Sequence, residues 1–244
     1  MQVRCFNDAA ATVEKLAQDW LELADRRQQV HISLSGGSTP KQLFEFIVGS
    51  SYLKAIDWQH LHFWWGDERC VAPECSDSNY GVAERLLFRH TDIPDENIHR
   101  IHGEWEPEKA RKQFARDMSK ALAIVNGFPQ FDWILLGIGE DGHTASLFPG
   151  QTNYFEEEST VVALHPQSQQ ARVSITAPVI ETARRVTYLA LGESKKEILP
   201  KVMRSKSQAL DFPAGRLHSI EGMTEYYLDK AAAQGLPPNL CQPA

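Results

Sequence analysis

Phe131-Asp132-Trp133-Ile134-Leu135-Leu136-Gly137-Ile138-Gly139-Glu140-Asp141-Gly142-His143-Thr144 runs an apolar segment straight into a glycine-rich turn. The first six residues read as a buried strand, and the turn presents an imidazole where that strand ends. Two phosphate-loop signatures come close, and both fail. The glycines satisfy G-x-G-x-x-G, but Glu140 and Asp141 repel anionic phosphates. The next apolar run, Thr160-Val161-Val162-Ala163-Leu164, does not end in the acid that would hold a ribose. The P-loop pattern has His143 in place of the lysine that must reach the phosphates. A glycine turn offering a histidine beside two carboxylates reads as the mount of a general base. The alternative is a plain glycine turn with a structural histidine.

Working outward, Asn7 and Asp8 are placed to cap a first helix whose Val13, Leu16, Ala17, Trp20, Leu21 and Ala24 recur at helical spacing. Val30–Leu34 is a short apolar strand, followed by a helix that starts near Pro40 and turns Leu43, Phe44, Ile47 and Val48 inward. Leu61–Trp65 is a second strand and Trp133–Leu136 a third, with helical stretches near 79–88 and 107–125 between them. Val161–Leu164, Val173–Thr176 and Val186–Leu191 read as further strands, Lys195–Met203 as a helix and Glu225–Leu228 as a last short strand. Pro237-Pro238 marks a frayed end. Strands alternating with helices predict an α/β fold: a doubly wound, mostly parallel, Rossmann-like sheet with helices on both faces. At 244 residues the expectation is a single domain spanning 1–244.

A hydrophobic content of 42% and a charged content of 23% match an ordinary soluble globular chain. The net charge of −7, without any basic run, argues against a nucleic-acid surface but leaves room for a small anionic ligand held by a local cluster of cations. Residues 1–20 lack a basic start and an unbroken apolar core, and no apolar run approaches the roughly 20 residues of a membrane span. A cytoplasmic protein without membrane contact is expected. Cys5, Cys70, Cys75 and Cys241 are too few and too scattered for a disulfide framework, and reduced thiols are expected. Cys70 and Cys75 have no second pair to complete a zinc site. His31, His60, His62, His90, His99, His102, His165 and His218 lack a setting like that of His143. The His60/His62 and His99/His102 pairs have no matched acid or cysteine, so surface or core roles are expected. No G-x-S-x-G elbow is present to supply a serine nucleophile.

In open parallel sheets, ligands bind beyond the carboxyl ends of the strands, near the point where strand order reverses. Four chemically loaded loops should open there: Ser35–Pro40, Gly66–Arg69, Gly137–Thr144 and Gly192–Lys195. Ser35, Gly36, Gly37, Ser38 and Thr39 offer bare amides, hydroxyls and a helix N-terminus, which is either an anion seat or a flexible turn. Lys195 is poorly placed at a helix start on dipole grounds; a phosphate ligand would account for it, as would ordinary solvation. Arg69 is either a bidentate grip on an anion or a partner of Asp67 or Glu68. Those two acids are candidates for acid–base work or simply solvated.

As a set, Ser35–Pro40, Gly66–Arg69, Ser76-Asp77-Ser78-Asn79-Tyr80-Gly81 and Asp141-Gly142-His143-Thr144-Ala145-Ser146-Leu147-Phe148-Pro149 resemble the 6-phosphogluconolactonases of the pentose phosphate pathway. The resemblance runs from the first helix to Lys195 and is most specific over His143–Pro149; Phe212–Leu217 matches the family's ending only loosely. It implies hydrolysis of 6-phospho-D-glucono-1,5-lactone to 6-phosphogluconate without a metal or organic cofactor. His143 would activate water, and Asp67 would orient the water or the substrate. The Ser35–Thr39 loop, Arg69, Lys195 and, more weakly, Arg172 would hold the phosphate and sugar hydroxyls. The implied partner is a small phosphorylated lactone, and a monomer is expected. Two readings compete: a glucosamine-6-phosphate isomerase/deaminase, against which Arg69 and Ser146–Pro149 count, and a non-catalytic sugar-phosphate-binding protein.

Overall fold

The computed structural model describes residues 2–203 and 212–243. β1 (Gln2–Phe6) leads into α1 (Ala9–Ala24), which Asp8 caps by accepting from the Ala11 amide at 2.8 Å. β2 (Val30–Leu34), α2 (Ser38–Val48), α3 (Tyr52–Ala55) and β3 (Leu61–Trp65) follow. After β4 (Asp67–Arg69), α4 (Asn79–Leu86) and α5 (Pro107–Ala121), a hairpin joins β5 (Ala123–Val125) to β6 (Phe128–Gln130). The remaining strands are β7 (Trp133–Gly137), β8 (Thr160–Leu164), β9 (Ala171–Ile175), β10 (Arg185–Ala190), β11 (Met223–Asp229) and β12 (Gln242–Pro243).

Seven strands form one parallel sheet in the order β12-β1-β11-β10-β7-β2-β3. Both faces are covered, because the apolar content of the strands leaves no wet side. On β3 the alternation of side chains makes this explicit. Phe63 and Trp65 meet Trp20 of α1 and Tyr80 of α4 on one face, while Trp64 meets Phe114 of α5 on the other. The chain leaves β2 outward to β3 and later returns to β7 on the other side of β2. Strand order therefore reverses between β2 and β7.

The doubly wound parallel sheet is as expected, but several elements differ. Residues 160–164 and 171–175 do not join the main sheet. They pair antiparallel with each other and with Asp67–Arg69, in the order β4-β9-β8. The segment after β3, read as a loop, is thus a short crossing strand. The expected helix Lys195–Met203 is split into a single 3-10 turn, Glu193–Lys195, and Leu199–Val202. Pro200 explains the break, since its ring and missing N–H stop a helix from running through it. The helix expected to reach 125 ends at Ala121, because Asn126 and Gly127 both have positive φ, 53° and 86°, and turn the chain into a hairpin. The end expected to fray instead lays Gln242–Pro243 beside β1, and Cys5 forms a disulfide with Cys241 across a Cα separation of 5.4 Å. That corrects the expectation of four reduced thiols; Cys70 and Cys75 are free. No helix among the described residues is long and apolar enough to cross a membrane.

Candidate active site

A cleft of about 190 Å³ opens where strand order reverses, above the carboxyl ends of β2 and β7. Ser35, Gly36, Gly37, Ser38, Thr39, Asp67, Arg69, His143, Arg172 and Lys195 all line it. The four loops singled out in the sequence therefore converge, joined by β9 through Arg172.

The loop after β7 holds the histidine. Gly142 takes φ 81°, and its amide closes the turn on the Gly139 carbonyl at 2.9 Å. A side chain at Gly139 would collide with the His143 ring at 2.1 Å, so only glycine lets the imidazole lie against this turn. Asp141 Oδ1 accepts from the His143 amide at 3.1 Å and sits 2.5 Å from His143 Nδ1. With Nδ1–H directed at Asp141, the lone pair of His143 is left on Nε2. Burial works against the Asp141 charge, but the His143 amide and ring outweigh it and hold the carboxyl below its ordinary range. The sequence places Asp141 as one of two carboxylates beside the histidine without assigning it the role of ring partner. The i,i+2 spacing in Asp-Gly-His is the signal that finds this partner.

The next turn locks the loop to β4. Ser146 donates to Asp67 Oδ2 at 2.6 Å, and its amide donates to Ser174 Oγ at 3.2 Å. Asp67 is buried and also lies 3.9 Å from Arg172 Nη1. Glu68, one residue on, points away from this work. It accepts from Ser78 Oγ at 3.1 Å and from the amides of Arg69, Asn79 and Tyr80 at 2.8 Å each, and so anchors the start of α4. Burial pushes its carboxyl up against the opposing pull of those amides. Of the two acids left open by sequence, only Asp67 faces the cleft.

Arg69 and Arg172 are direct cross-strand partners in the β4–β9 register. Like charges placed opposite one another disfavour the sheet unless something offsets them. Arg69 donates from Nη1 to the Asp77 carbonyl at 2.7 Å and forms no ion pair with Asp67 or Glu68. Burial and the neighbouring Arg69 both lower the Arg172 pKa, against the pull of Asp67. Arg69 Nε, Arg172 Nε and Ser35 Oγ are buried without a hydrogen-bond partner among the described residues. Lys195, at the end of its 3-10 turn, has no carboxylate within ion-pair distance among the described residues. The N-terminus of α2, with Gly37 at its cap, lines the same cleft as these cations. Two guanidinium groups with unpartnered Nε atoms, an ammonium, hydroxyls and a helix N-terminus are a donor set of the chemistry that suits a polyanionic group of phosphate type. Asn79 was missed as a lining residue. Its Nδ2 donates to the Asp67 carbonyl at 2.9 Å, and it fills the space that a side chain at Gly36 would need.

Behind the histidine loop, Phe212 packs on Gly142, and the Ala214 amide donates to the Gly142 carbonyl at 3.1 Å. The loosely matching Phe212–Leu217 segment thus backs the histidine turn from outside the cleft lining. His31, His62 and His99, expected singly in surface or core roles, are brought together outside the cleft lining, with one nitrogen from each within 4.8 Å of the others.

The family model for glucosamine-6-phosphate isomerases/6-phosphogluconolactonase matches residues 7–226. A 6-phosphogluconolactonase of Haemophilus influenzae is 50% identical over 229 residues, covering 94% of this chain and 97% of its own. The crystal structure of the devB protein superposes with a TM-score of 0.94 at 50% identity, covering 97% of this chain and 99% of the other. The 6-phosphogluconolactonase of Trypanosoma brucei superposes with a TM-score of 0.82 at 25% identity over 97% and 98% of the two chains. On this evidence the chain belongs to the glucosamine-6-phosphate isomerase/6-phosphogluconolactonase family.

Proposed function

We propose that residues 1–244 act as one lactonase domain that hydrolyses 6-phospho-D-glucono-1,5-lactone to 6-phospho-D-gluconate, with His143 as general base. The observation that carries this reading is the Asp141–His143 pair at 2.5 Å, with His143 lining the same cleft as Arg69, Arg172 and Lys195. The name 6-phosphogluconolactonase, borne by relatives 50% and 49% identical over 94% of this chain, supports the substrate.

Nε2 of His143 takes a proton from water as its oxygen bonds to the lactone carbonyl carbon. The ring C–O bond then breaks, and the proton passes from the imidazolium to the departing ring oxygen. One water is consumed, and the products are a carboxylic acid and a hydroxyl on the same chain. Asp141 holds the ring with Nε2 forward and offsets the imidazolium charge. Asp67 positions Ser146 and Arg172 at the wall of the cleft. Arg69, Arg172, Lys195 and the Ser35–Thr39 loop hold the phosphate and so fix the carbonyl against the water, an orientation effect that contributes to rate. A strained lactone carbonyl is reactive enough that base assistance of about 10²–10⁴ suffices. Every residue in this scheme comes from one chain, so a monomer suffices.

The test is turnover of freshly prepared phosphogluconolactone, with spontaneous hydrolysis subtracted. Failure to accelerate it, or conversion of glucosamine 6-phosphate instead, would overturn the assignment.

A further inference from the structure

His31, His62 and His99 occupy matched positions on three adjacent extended segments. His31 of β2 pairs in register with His62 of β3. On the far side of β3, Ile98 bridges Phe63, and the His99 amide donates to the Phe63 carbonyl at 2.8 Å. Side chains alternate along a strand with a period of two, so His31, His62, Trp64 and His99 share one face of the sheet. The backbone, not chance side-chain contact, brings the three imidazoles together.

His62 Nδ1 and His99 Nε2 stand 3.0 Å apart. Two nitrogens bound to one tetrahedral zinc ion at about 2.0–2.1 Å stand roughly 3.3 Å apart, so only a small widening is required. Gln29 Oε1 contacts His62 Nε2. That contact keeps the His62 proton on Nε2 and directs its lone pair from Nδ1 toward His99, the arrangement that orients histidine ligands in metal sites. Trp64 floors the cluster: its ring stacks on His99 with centroids 3.9 Å apart, and its indole N–H donates to His31 Nδ1 at 3.1 Å. All three histidines are partly exposed, and the hollow over them opens past Gln59, Glu96 and Asn97.

We propose that His31, His62 and His99 bind one divalent transition-metal ion of the zinc type, at a site separate from the cleft. An all-imidazole set selects such ions over magnesium or calcium, which require oxygen ligands. Three ligands leave a position for water on the open side. The ion takes the place of the proton shared by His62 and His99, and that proton moves to the other nitrogen of its own ring. His31 gives the ion the lone pair that now accepts from Trp64, so the indole loses its acceptor. His31 and His62 each precede the nearest cleft loop by four residues, roughly 13 Å of extended chain, so turnover does not depend on the ion.

The experiment uses chelator-stripped protein titrated with Co2+ and then Zn2+. One Co2+ per chain should bind with the visible bands of nitrogen coordination, alter tryptophan fluorescence, and be displaced by Zn2+. His62→Ala and His99→Ala should each weaken Co2+ binding at least about 100-fold, the upper end of what losing a mere supporting group does, with lactone turnover unchanged. Wild-type Co2+ affinity in both variants, or no binding by the wild-type chain, overturns the site. Should a variant fold poorly, stoichiometric Zn2+ on the wild-type chain should shift the ring resonances of His31, His62 and His99 and spare His143; the reverse pattern also overturns it.

Discussion

In the amino-terminal half of β10 and β11, Arg185 reaches Glu225 at 2.6 Å, and Asp19 and the Tyr227 hydroxyl at 2.9 Å each. Its guanidinium lies 3.9 Å from the centre of the Trp133 ring, and Thr187 bridges Trp133 and Glu225. Beyond the carboxyl edge of that sheet, in the small β4-β9-β8 sheet, Arg69 and Arg172 face each other with unpaired Nε groups, and Lys195 has no acidic partner among the described residues. Burial works against the Arg185 charge, but Asp19 and Glu225 outweigh it and its pKa rises; for Arg172, burial and Arg69 outweigh Asp67 and it falls. The Arg185 guanidinium is saturated by its neighbours, although Glu225 Oε2 in the same cluster has no hydrogen-bond partner among the described residues. In the cleft the guanidinium groups keep unpartnered donors and the fold tolerates their repulsion, the pattern expected where a ligand supplies the missing partner.

Removing a saturated charge should do the most damage. Arg185→Ala strands Asp19 and the fully buried Glu225, and should lower unfolding free energy by about 3–5 kcal/mol in a denaturant titration, with kcat per folded molecule little changed. Intact stability would mean that Lys15 and Arg4, the other cations beside these acids, already suffice.

In the cleft the effects should reverse, with activity lost and stability kept. His143→Ala should reduce kcat by at least about 100-fold, or about 2.7 kcal/mol of barrier, with an unchanged melting temperature. Near wild-type turnover would leave His143 a merely structural residue. Lys195→Ala should lose roughly 1.5–3 kcal/mol in kcat/KM on the phosphorylated lactone and far less on unphosphorylated gluconolactone. Equal fractional loss on both would move the phosphate role to Arg172 and the Ser35–Thr39 loop.

Asp141→Asn should lower kcat at least about tenfold, less than the loss of His143 itself, because the base remains but its tautomer is no longer held. An unaltered kcat would show that the 2.5 Å contact does not orient the ring.

The smallest effect belongs to the histidine cluster. His31 and His99 have folded pKa values near 4, below the unfolded value of about 6.5, so the unfolded chain binds more protons between those limits. The stability they contribute is complete above pH 6.5 and is lost as pH falls toward 4. With chelator present, melting temperature should fall more steeply over this window in the wild type than in a His31→Asn/His99→Asn double variant. Solvent at the open side of the rings keeps the slope below about 1.4 kcal/mol per pH unit for each ring. Parallel curves would show that the rings titrate normally.

The cleft was legible because its parts lie in short loops where glycine, hydroxyl and charge follow an apolar run: Ser35–Thr39 after β2, Gly137–His143 after β7, Lys195 after β10. The histidine cluster was not, because residues 31, 62 and 99 share no local pattern and meet only through strand register. The Cys5–Cys241 bond escaped for the same reason, at a separation of 236 residues.

The sequence by itself determined the parallel α/β class, the strand-end loops and the histidine turn, because hydrophobic period and glycine placement act over a few residues. Tertiary structure decided the rest. It turned Asp67–Arg69 into a crossing strand, which sends Asp67 into the cleft and Glu68 to the start of α4. It set Arg172 opposite Arg69 and left both with donors to spare. Those outcomes depend on pairing between segments about a hundred residues apart, and chain order alone does not specify which strands come to lie side by side.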